Sequence, residues 1–247
     1  MVILPILTYH SIDRTGSCLS TTRELFNLQM EYLASRHYRI LTLTEAVSYL
    51  KHGQKSTQPT IALTFDDGYR STLELALPVL RKHGFNASLF AVSGFCGADN
   101  AWDHAQGPIP RFPIMRTEEI RELAHAGWEI GAHTVNHARL TSLAVEALER
   151  ELCECRHFLQ DCTGKPVNIL AYPYGAHNAR VLSQARAVFD AACTTELDFA
   201  TSASDPLALP RIDAYYLRAP AFFRSLEAPW MPGYLALRRG LRKVRAK

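Results

Sequence analysis

The sequence has no internal repeat and no low-complexity segment. Charged residues make up 21% and apolar residues 47% of its 247 positions, values typical of soluble globular proteins. This composition excludes an intrinsically disordered chain, a collagen-like chain and a membrane-embedded body. The length fits one large α/β domain better than two domains of ordinary size.

A strong surplus of positive charge is also missing. The formal net charge is +3, and the basic residues are scattered except in the last ten positions. Nucleic-acid-binding domains concentrate Lys and Arg on one surface, so the sequence predicts no nucleic-acid partner.

Cysteine is scarce, with six residues spread over the chain. This spread fits free thiols in a reducing compartment better than a disulfide framework. Residues 1–7 lack the positive segment, the full-length apolar core and the cleavage site of a signal peptide. The sequence therefore predicts a cytoplasmic protein.

Short apolar runs rich in β-branched residues alternate with longer helical patterns. This alternation predicts βα units, a largely parallel sheet and a single domain over residues 1–232. The predicted strands cover residues 2–8, 39–43, 61–65, 87–92, 129–132, 169–172, 191–194 and 207–212.

The stretch from Gly94 to Met115 shows little periodicity and contains three prolines. Loops this long inside a compact domain are often functional. Two interpretations stay open, a substrate-facing lid and a surface insertion that packs on its own aromatic residues.

Chemically capable side chains follow most of the predicted strands. In βα barrels the carboxyl ends of the strands meet on one face, and that face carries the active site. We therefore expect these side chains to converge on one pocket. They are Tyr9, His10, Asp66, Asp67, His133, His137, Tyr172, Tyr174, Arg211 and Asp213.

Two adjacent carboxylates, Asp66 and Asp67, follow the strand predicted over residues 61–65. Neighbouring strand residues point to opposite sides unless the backbone turns, as Gly68 permits. One carboxylate can then bind a divalent metal while the other takes a proton from a metal-bound water. The alternative is an ordinary turn, in which Asp-Asp-Gly is equally at home.

His133 and His137 are four residues apart, a spacing that lets both imidazoles reach one ion from a helical or turn-like backbone. They follow the strand predicted over residues 129–132, which brings them to the rim that carries Asp66 and Asp67. Two His and one Asp leave open coordination positions, as catalytic metal sites do. The alternative is an unrelated pair among the ten histidines.

These motifs, in this order, resemble those of the polysaccharide deacetylase family, also called the NodB-homology or carbohydrate esterase 4 family, over roughly residues 5–213. The resemblance implies a distorted (β/α)-barrel of seven or eight parallel strands. It also implies that Asp66 is the catalytic base and that Asp67, His133 and His137 bind the metal.

The third family motif, Arg-x-Pro-Tyr, has the sequence Ala-Tyr-Pro-Tyr here, at residues 171–174. The resemblance implies that Pro173 and Tyr174 contact the substrate, with the backbone N–H of Tyr174 on the oxyanion. The arginine, which orients the catalytic Asp in the family, is missing. Arg211, at the last predicted strand, is the substitute that we predict, and a structural salt bridge is its alternative role.

The general-acid histidine of the family has no counterpart near residues 209–212. His10, at the end of the first predicted strand, is our candidate for the acid, with Asp66 itself as the other candidate, and a structural histidine bonded to backbone is the alternative role of His10. Tyr69 is a third predicted substrate contact. Together with Trp102 and Tyr172, it could either stack on a sugar or pack in the protein.

The sequence thus predicts a metal-dependent hydrolase that removes N-acetyl groups from an amino sugar of a polysaccharide or glycan precursor. Asp66 is the expected base and a metal-bound water the expected nucleophile. Zinc is the metal that the ligands favour, and Co²⁺, Ni²⁺ and Fe²⁺ also suit such a set. Two alternatives stay open, hydrolysis of another small amide such as a formamido sugar, and a carbohydrate-binding pseudoenzyme.

Residues 233–247 are predicted to form a basic C-terminal tail, with six basic residues and spaced apolar ones. Such a segment can lie on an anionic membrane surface, where lipid-linked glycan precursors are found. The sequence therefore predicts a cytoplasmic enzyme with peripheral membrane contact. A solvated tail is the alternative.

Overall fold

A curved sheet of parallel strands, covered by helices, organises the chain. The computed structural model describes residues 2–53, 57–106 and 109–245. The strands are Ile3–Leu4 (β1), Ile6–Tyr9 (β2), Ser11–Ile12 (β3), Ser20–Thr21 (β4), Arg39–Leu41 (β5), Thr60–Phe65 (β6), Ser88–Ala91 (β7), Glu129–Ala132 (β8), Ile169–Ala171 (β9), Ala191–Cys193 (β10), Ala200–Thr201 (β11) and Ile212–Asp213 (β12). The α-helices are Arg23–Ser35 (α1), Leu43–His52 (α2), Leu77–Lys82 (α3), Thr117–His125 (α4), Val145–Thr163 (α5), Ala179–Val188 (α6), Pro220–Arg224 (α7) and Met231–Arg245 (α8).

The main sheet has the order β10-β9-β8-β7-β6-β2-β12, and β5 pairs with the first half of β6. Every neighbouring pair in it is parallel. The segment before β12 reaches the opposite edge, where Leu209 N donates to Ala192 O and Thr194 N donates to Leu209 O, both at 2.9 Å. The sheet is a half-barrel, which confirms the predicted α/β fold.

Each predicted strand contributes to the sheet, although the last one is short. Leu207 lies in a 3₁₀ turn, and only Ile212–Asp213 pairs as a strand. The six cysteines are free thiols, as the sequence predicts.

Local capping signals set the helix ends. Thr42 caps α2, because its side chain accepts from Glu45 N while the Glu45 carboxylate accepts from Thr42 N. The helix ends at Gly53, whose φ of 61° suits a residue without a side chain.

The apolar core has a part between sheet and helices and a smaller part inside the curve of the sheet. Phe90 fills the inner part opposite Gly131, where a Cβ atom would lie 2.6 Å from the Phe90 ring. The Arg211 guanidinium lies 5.7 Å from the centre of that ring. The Phe90 ring therefore packs against Arg211, one of the polar residues near the strand ends.

Most of the predicted basic tail belongs to α8, which docks on the domain. Leu235 is fully buried, and Tyr234 donates a 2.9 Å hydrogen bond to Tyr216 O. Arg239 pairs with Asp198. Within the described part, the segment is a packed helix rather than a solvated tail. Across the described ranges, no helix combines the length and apolarity needed to cross a membrane.

Candidate active site

The carboxyl ends of β2, β6, β8, β9 and β12 meet on one face, as expected for a βα architecture. The structure brings His10, Asp66, Asp67, His133, His137 and Arg211 together there.

Three of these groups form a compact set of metal-ligand atoms. Asp67 Oδ1 lies 3.3 Å from His133 Nε2 and 3.4 Å from His137 Nε2. The ligand atoms lie within 4.8 Å of one another, and all three residues are buried. The His133 Nδ1–H donates to the Ala171 carbonyl at 2.7 Å, which leaves Nε2 to face Asp67. Such an outer hydrogen bond orients ligating histidines, so these residues fit a divalent ion.

Left-handed backbone conformations in and between these residues set the directions of their side chains. The φ angle is 72° at Asp67, 67° at Thr134 and 53° at His137. Residues with a side chain occupy this region at a cost of order 1–3 kcal/mol each unless neighbouring structure enforces it. The turn at Asp67 and Gly68 separates the directions of two adjacent carboxylates, as the sequence predicts.

Glu151 of α5 fixes the loop between the two histidines. Its Oε2 accepts from Val135 N at 2.8 Å and Asn136 N at 2.9 Å, and its Oε1 accepts from the Asn136 side chain at 2.7 Å. Glu151 itself is buried. The sequence gives no signal for this role beyond an acidic residue on a long helix.

The electrostatics of Asp67 and His137 suit metal binding, whereas the pKa of His133 is lowered by burial but raised overall by its hydrogen bond with Asp67 and the charges of Asp66 and Asp67. Burial raises the pKa of Asp67, but the hydrogen bond with His133 and the charge of His137 outweigh it and hold the pKa well below its usual range. Burial lowers the pKa of His137, and the charge of His133 lowers it further, to about 3. A carboxylate and a neutral imidazole are the forms that bind metal.

Asp66 is held by Arg211 instead of by the metal-ligand set. Arg211 Nη1 donates to Asp66 Oδ1 and Nη2 donates to Oδ2, both at 2.7 Å. Arg211 also donates to Thr8 Oγ1 and Thr64 Oγ1, each at 3.1 Å, and the pair is buried. The predicted pairing is therefore confirmed.

His10 lies on the open side of Asp66. Its Nε2 is 3.9 Å from Asp66 Oδ2, and its side chain is 16% exposed. Both residues line a cavity of about 460 Å³. Among the described residues, no hydrogen bond joins the His10 ring to backbone, which favours the functional interpretation over the structural one.

Tyr174 and Pro173 lie in a 3₁₀ turn after β9, beside the ligands. Tyr174 has a φ of 59°, and its ring centre is 4.6 Å from that of His137. The Thr195 hydroxyl donates to Tyr174 O at 3.2 Å. A Cβ at Gly175 would lie 2.2 Å from that hydroxyl, so only glycine permits this approach.

Tyr69 is fully buried, with its ring 5.3 Å from that of Phe112 in an edge-to-face contact. No face of the ring is open to a sugar. This corrects the prediction that Tyr69 contacts the substrate. Tyr172 is also buried, and its hydroxyl donates to Leu207 O at 2.9 Å.

Trp102, for which the sequence leaves sugar stacking and protein packing open, lies beside the candidate metal-binding residues. Its ring stacks on His137 with centres 4.9 Å apart and planes at 27°. Asn100 holds the same loop, since its Oδ1 accepts from Phe112 N and its Nδ2 donates to Asp103. The described part of the 94–115 stretch packs on its own aromatic residues and also covers His137 with Trp102.

A parallel half-barrel with an Asp, two His and a separate arginine-paired Asp at its rim defines a class of hydrolytic domains. Residues 53–188 match the family model described as polysaccharide deacetylase. The chain belongs to the polysaccharide deacetylase family.

Three relatives illustrate the match. YxkH of Bacillus subtilis, whose name places it among the polysaccharide deacetylases, is 29% identical over 85% of this chain and 70% of its own length. The poly-β-1,6-N-acetyl-D-glucosamine N-deacetylase of Staphylococcus aureus is 26% identical over 64% of this chain. That match spans 55% of the staphylococcal enzyme. The Streptococcus pyogenes deacetylase PplD, solved in complex with acetate, has the same fold, with a TM-score of 0.75, 24% identity and coverage of 86% of this chain and 92% of its own.

Proposed function

We propose that this protein hydrolyses the N-acetyl group of an amino sugar in a polysaccharide, with a divalent metal held by Asp67, His133 and His137. One observation carries the proposal. A second carboxylate, Asp66, lies next to these ligands but is bound by Arg211 instead of sharing their cluster. Sugar binding alone would not need a separate buried carboxylate beside a metal ligand.

A divalent ion in this site would lower the pKa of a bound water and polarise the acetyl carbonyl. Zn²⁺ is the ion that we propose, because two imidazoles and a carboxylate suit it well. The chain's own residues supply the remaining chemistry.

Asp66 takes the proton as general base. Burial raises its pKa, but the charge and hydrogen bonds of Arg211 outweigh burial and lower it, so the carboxylate form persists. The two bonds from Arg211 also fix the plane of the carboxylate. Arg211 thereby orients Asp66, a role that the alanine at position 171 cannot fill. This replacement argues against an inactive sugar-binding protein.

His10 donates a proton to the leaving amine in this proposal. It lies on the cavity side of Asp66, where the leaving nitrogen would sit. The oxyanion contact of the Tyr174 backbone stays a prediction, as do the cytoplasmic location and peripheral membrane contact.

The relatives support the substrate class. The staphylococcal enzyme is named for N-deacetylation of a glucosamine polymer, and the streptococcal deacetylase was solved with acetate. Acetate release from N-acetylglucosamine oligomers, including β-1,6-linked ones, tests the proposal with zinc-loaded protein and with Asp66→Asn as control. Release of formate from a formamido sugar, with none of acetate, would instead favour the other amidase reaction.

The role of His10 has a separate test. Amide cleavage needs a protonated leaving group, whereas an aryl acetate leaves without one. His10→Ala should lose acetate release from amino sugars by about 10²-fold or more and keep aryl acetate hydrolysis. An equal loss on both substrates would remove His10 as the acid.

A further inference from the structure

The cavity beside Asp66 and His10 extends beyond the groups that the proposed reaction uses. Its volume of about 460 Å³ lies in the range of small-ligand pockets and exceeds what an acetamide group needs. Beyond Asp66 and His10, part of the cavity wall comes from the end of β12, the turn after it and α8. These elements contribute Asp213, Tyr215, Tyr216 and Arg242.

Arg242 is the residue through which α8 reaches this cavity. Its Nη1 donates to Thr195 O at 3.0 Å, and its guanidinium lies 5.9 Å from the centre of the Tyr216 ring. Arg239, on the same helix, pairs with Asp198 and does not line the cavity. Arg242 makes no ion pair with any carboxylate of the described residues, so its charge is not neutralised by a close acidic partner.

The neighbours of Arg242 supply complementary chemistry. Asp213 offers carboxylate oxygens, one of which accepts from Tyr215 N at 2.9 Å. Tyr215 is 36% exposed, and the Arg218 guanidinium lies 4.2 Å from its ring centre. A guanidinium, a carboxylate and exposed aromatic surface together can bind vicinal hydroxyls and the apolar face of a sugar ring.

The geometry points to a second sugar subsite here, in which Arg242 is a substrate-binding residue that favours oligosaccharides over single sugars. This inference rests on the proposed function: one sugar presents its acetamide to the metal ligands and Asp66, and the adjacent sugar lies against Arg242. The C-terminal helix would then determine specificity.

A chain of contacts fixes the position of the subsite relative to the proposed reaction centre. Arg242 binds the carbonyl of Thr195, and the Thr195 hydroxyl binds the carbonyl of Tyr174, whose ring packs on His137. Tyr234 and Leu235 anchor the helix itself. A sugar held at Arg242 would therefore be placed at a fixed distance from the metal ligands.

The test compares Arg242→Ala with Arg239→Ala, a matched loss of one arginine from the same helix. Arg242→Ala should raise KM for N-acetylglucosamine oligomers by roughly ten- to a hundredfold, the effect of losing hydrogen bonds to a charged group, with kcat little changed. KM for the monosaccharide and for an aryl acetate should not move. Arg242→Lys should restore part of the oligomer KM, and Arg239→Ala should resemble wild type.

Two outcomes overturn the inference: an unchanged oligomer KM in Arg242→Ala, or an equal rise for oligomer and monosaccharide. Thermal melts of both variants separate loss of binding from unfolding of the helix. If wild-type protein releases no acetate from any oligomer, the proposed function fails, and calorimetric binding of the oligomers then decides the subsite. Affinity that increases with oligomer length in wild type and not in Arg242→Ala supports it, and length-independent affinity in both overturns it.

Discussion

Arg211 and Asp66 lie 145 residues apart in the sequence and meet in a buried ion pair closed by two hydrogen bonds of 2.7 Å. The guanidinium reaches the carboxylate from the residue directly before β12, because β12 pairs with β2 and β2 pairs with β6. Position 171 on β9 contributes no side chain to this pair. Its carbonyl instead orients His133.

Removal of Arg211 should affect both activity and stability. Arg211→Ala leaves the buried Asp66 carboxylate without its counter-charge, a loss that costs about 3–5 kcal/mol in other buried pairs. We expect the free energy of unfolding, measured with urea, to fall by about that amount, and acetate release to fall by about 10²-fold or more.

Arg186→Ala is the control for Arg211→Ala. Arg186 pairs with Asp205 at 2.9 Å, but both side chains are largely exposed. Such pairs contribute about 0–1 kcal/mol. If the two variants unfold at the same urea concentration and retain equal activity, Arg211 has no role in holding the base.

The metal assignment is tested by elemental analysis. His133→Ala and His137→Ala should lose the bound ion, whereas Asp66→Asn should keep it and lose turnover. His157→Ala serves as control, because His157 is exposed on α5. Chelation should abolish acetate release, and added Zn²⁺ or Co²⁺ should restore it. Full metal occupancy in both ligand variants would contradict the assignment.

Glu151→Ala should weaken metal binding, although Glu151 is not one of the proposed metal ligands. The variant removes the acceptor for two backbone N–H groups and one amide in the loop that carries His137. Metal affinity should fall by about 10- to 100-fold, as it does when outer-shell partners of ligands are lost. Glu154→Ala, an exposed change on the same helix, should leave it unaltered. Equal zinc affinity in the two variants, measured by competition with a chelator, would exclude this role.

Trp102 should report on occupancy of the site. Its ring stacks on His137, so Co²⁺ held by that ligand should quench part of the tryptophan fluorescence of metal-free protein. Trp102→Phe should abolish the quenching, while Trp230→Phe should retain it because Trp230 lies half-exposed beside Phe222. Undiminished quenching in Trp102→Phe would show that the signal arises elsewhere.

The sequence predicts the strands and the candidate metal-binding residues because both depend on short-range patterns. A buried strand needs only a short apolar run between turns, and His133 and His137 are four residues apart. The side chains of Asp66 and Asp67 point in different directions because the backbone turns at Gly68. This turn is also a local feature of the sequence.

Other features depend on the path of distant segments. Tyr69 follows the Gly68 turn, and only the three-dimensional structure shows that Phe112 packs against its ring. The mixture of arginines and apolar residues after position 233 does not indicate that this segment packs on the domain. The packing depends on distant partners such as the Thr195 carbonyl, which the sequence does not reveal.

The position of Arg211, directly before β12, also sets the order in which a ribosome supplies the proposed catalytic groups. The growing chain contains every proposed metal ligand once His137 has been made, yet the cation that orients Asp66 is added only 74 residues later, the difference between positions 211 and 137. Before that point the base has no counter-charge and the edge of the sheet beside β2 is uncovered. In the proposed mechanism, catalytic competence therefore requires that Arg211 has been made and β12 has docked, so a polypeptide released before residue 211 would contain the proposed metal ligands but no oriented base.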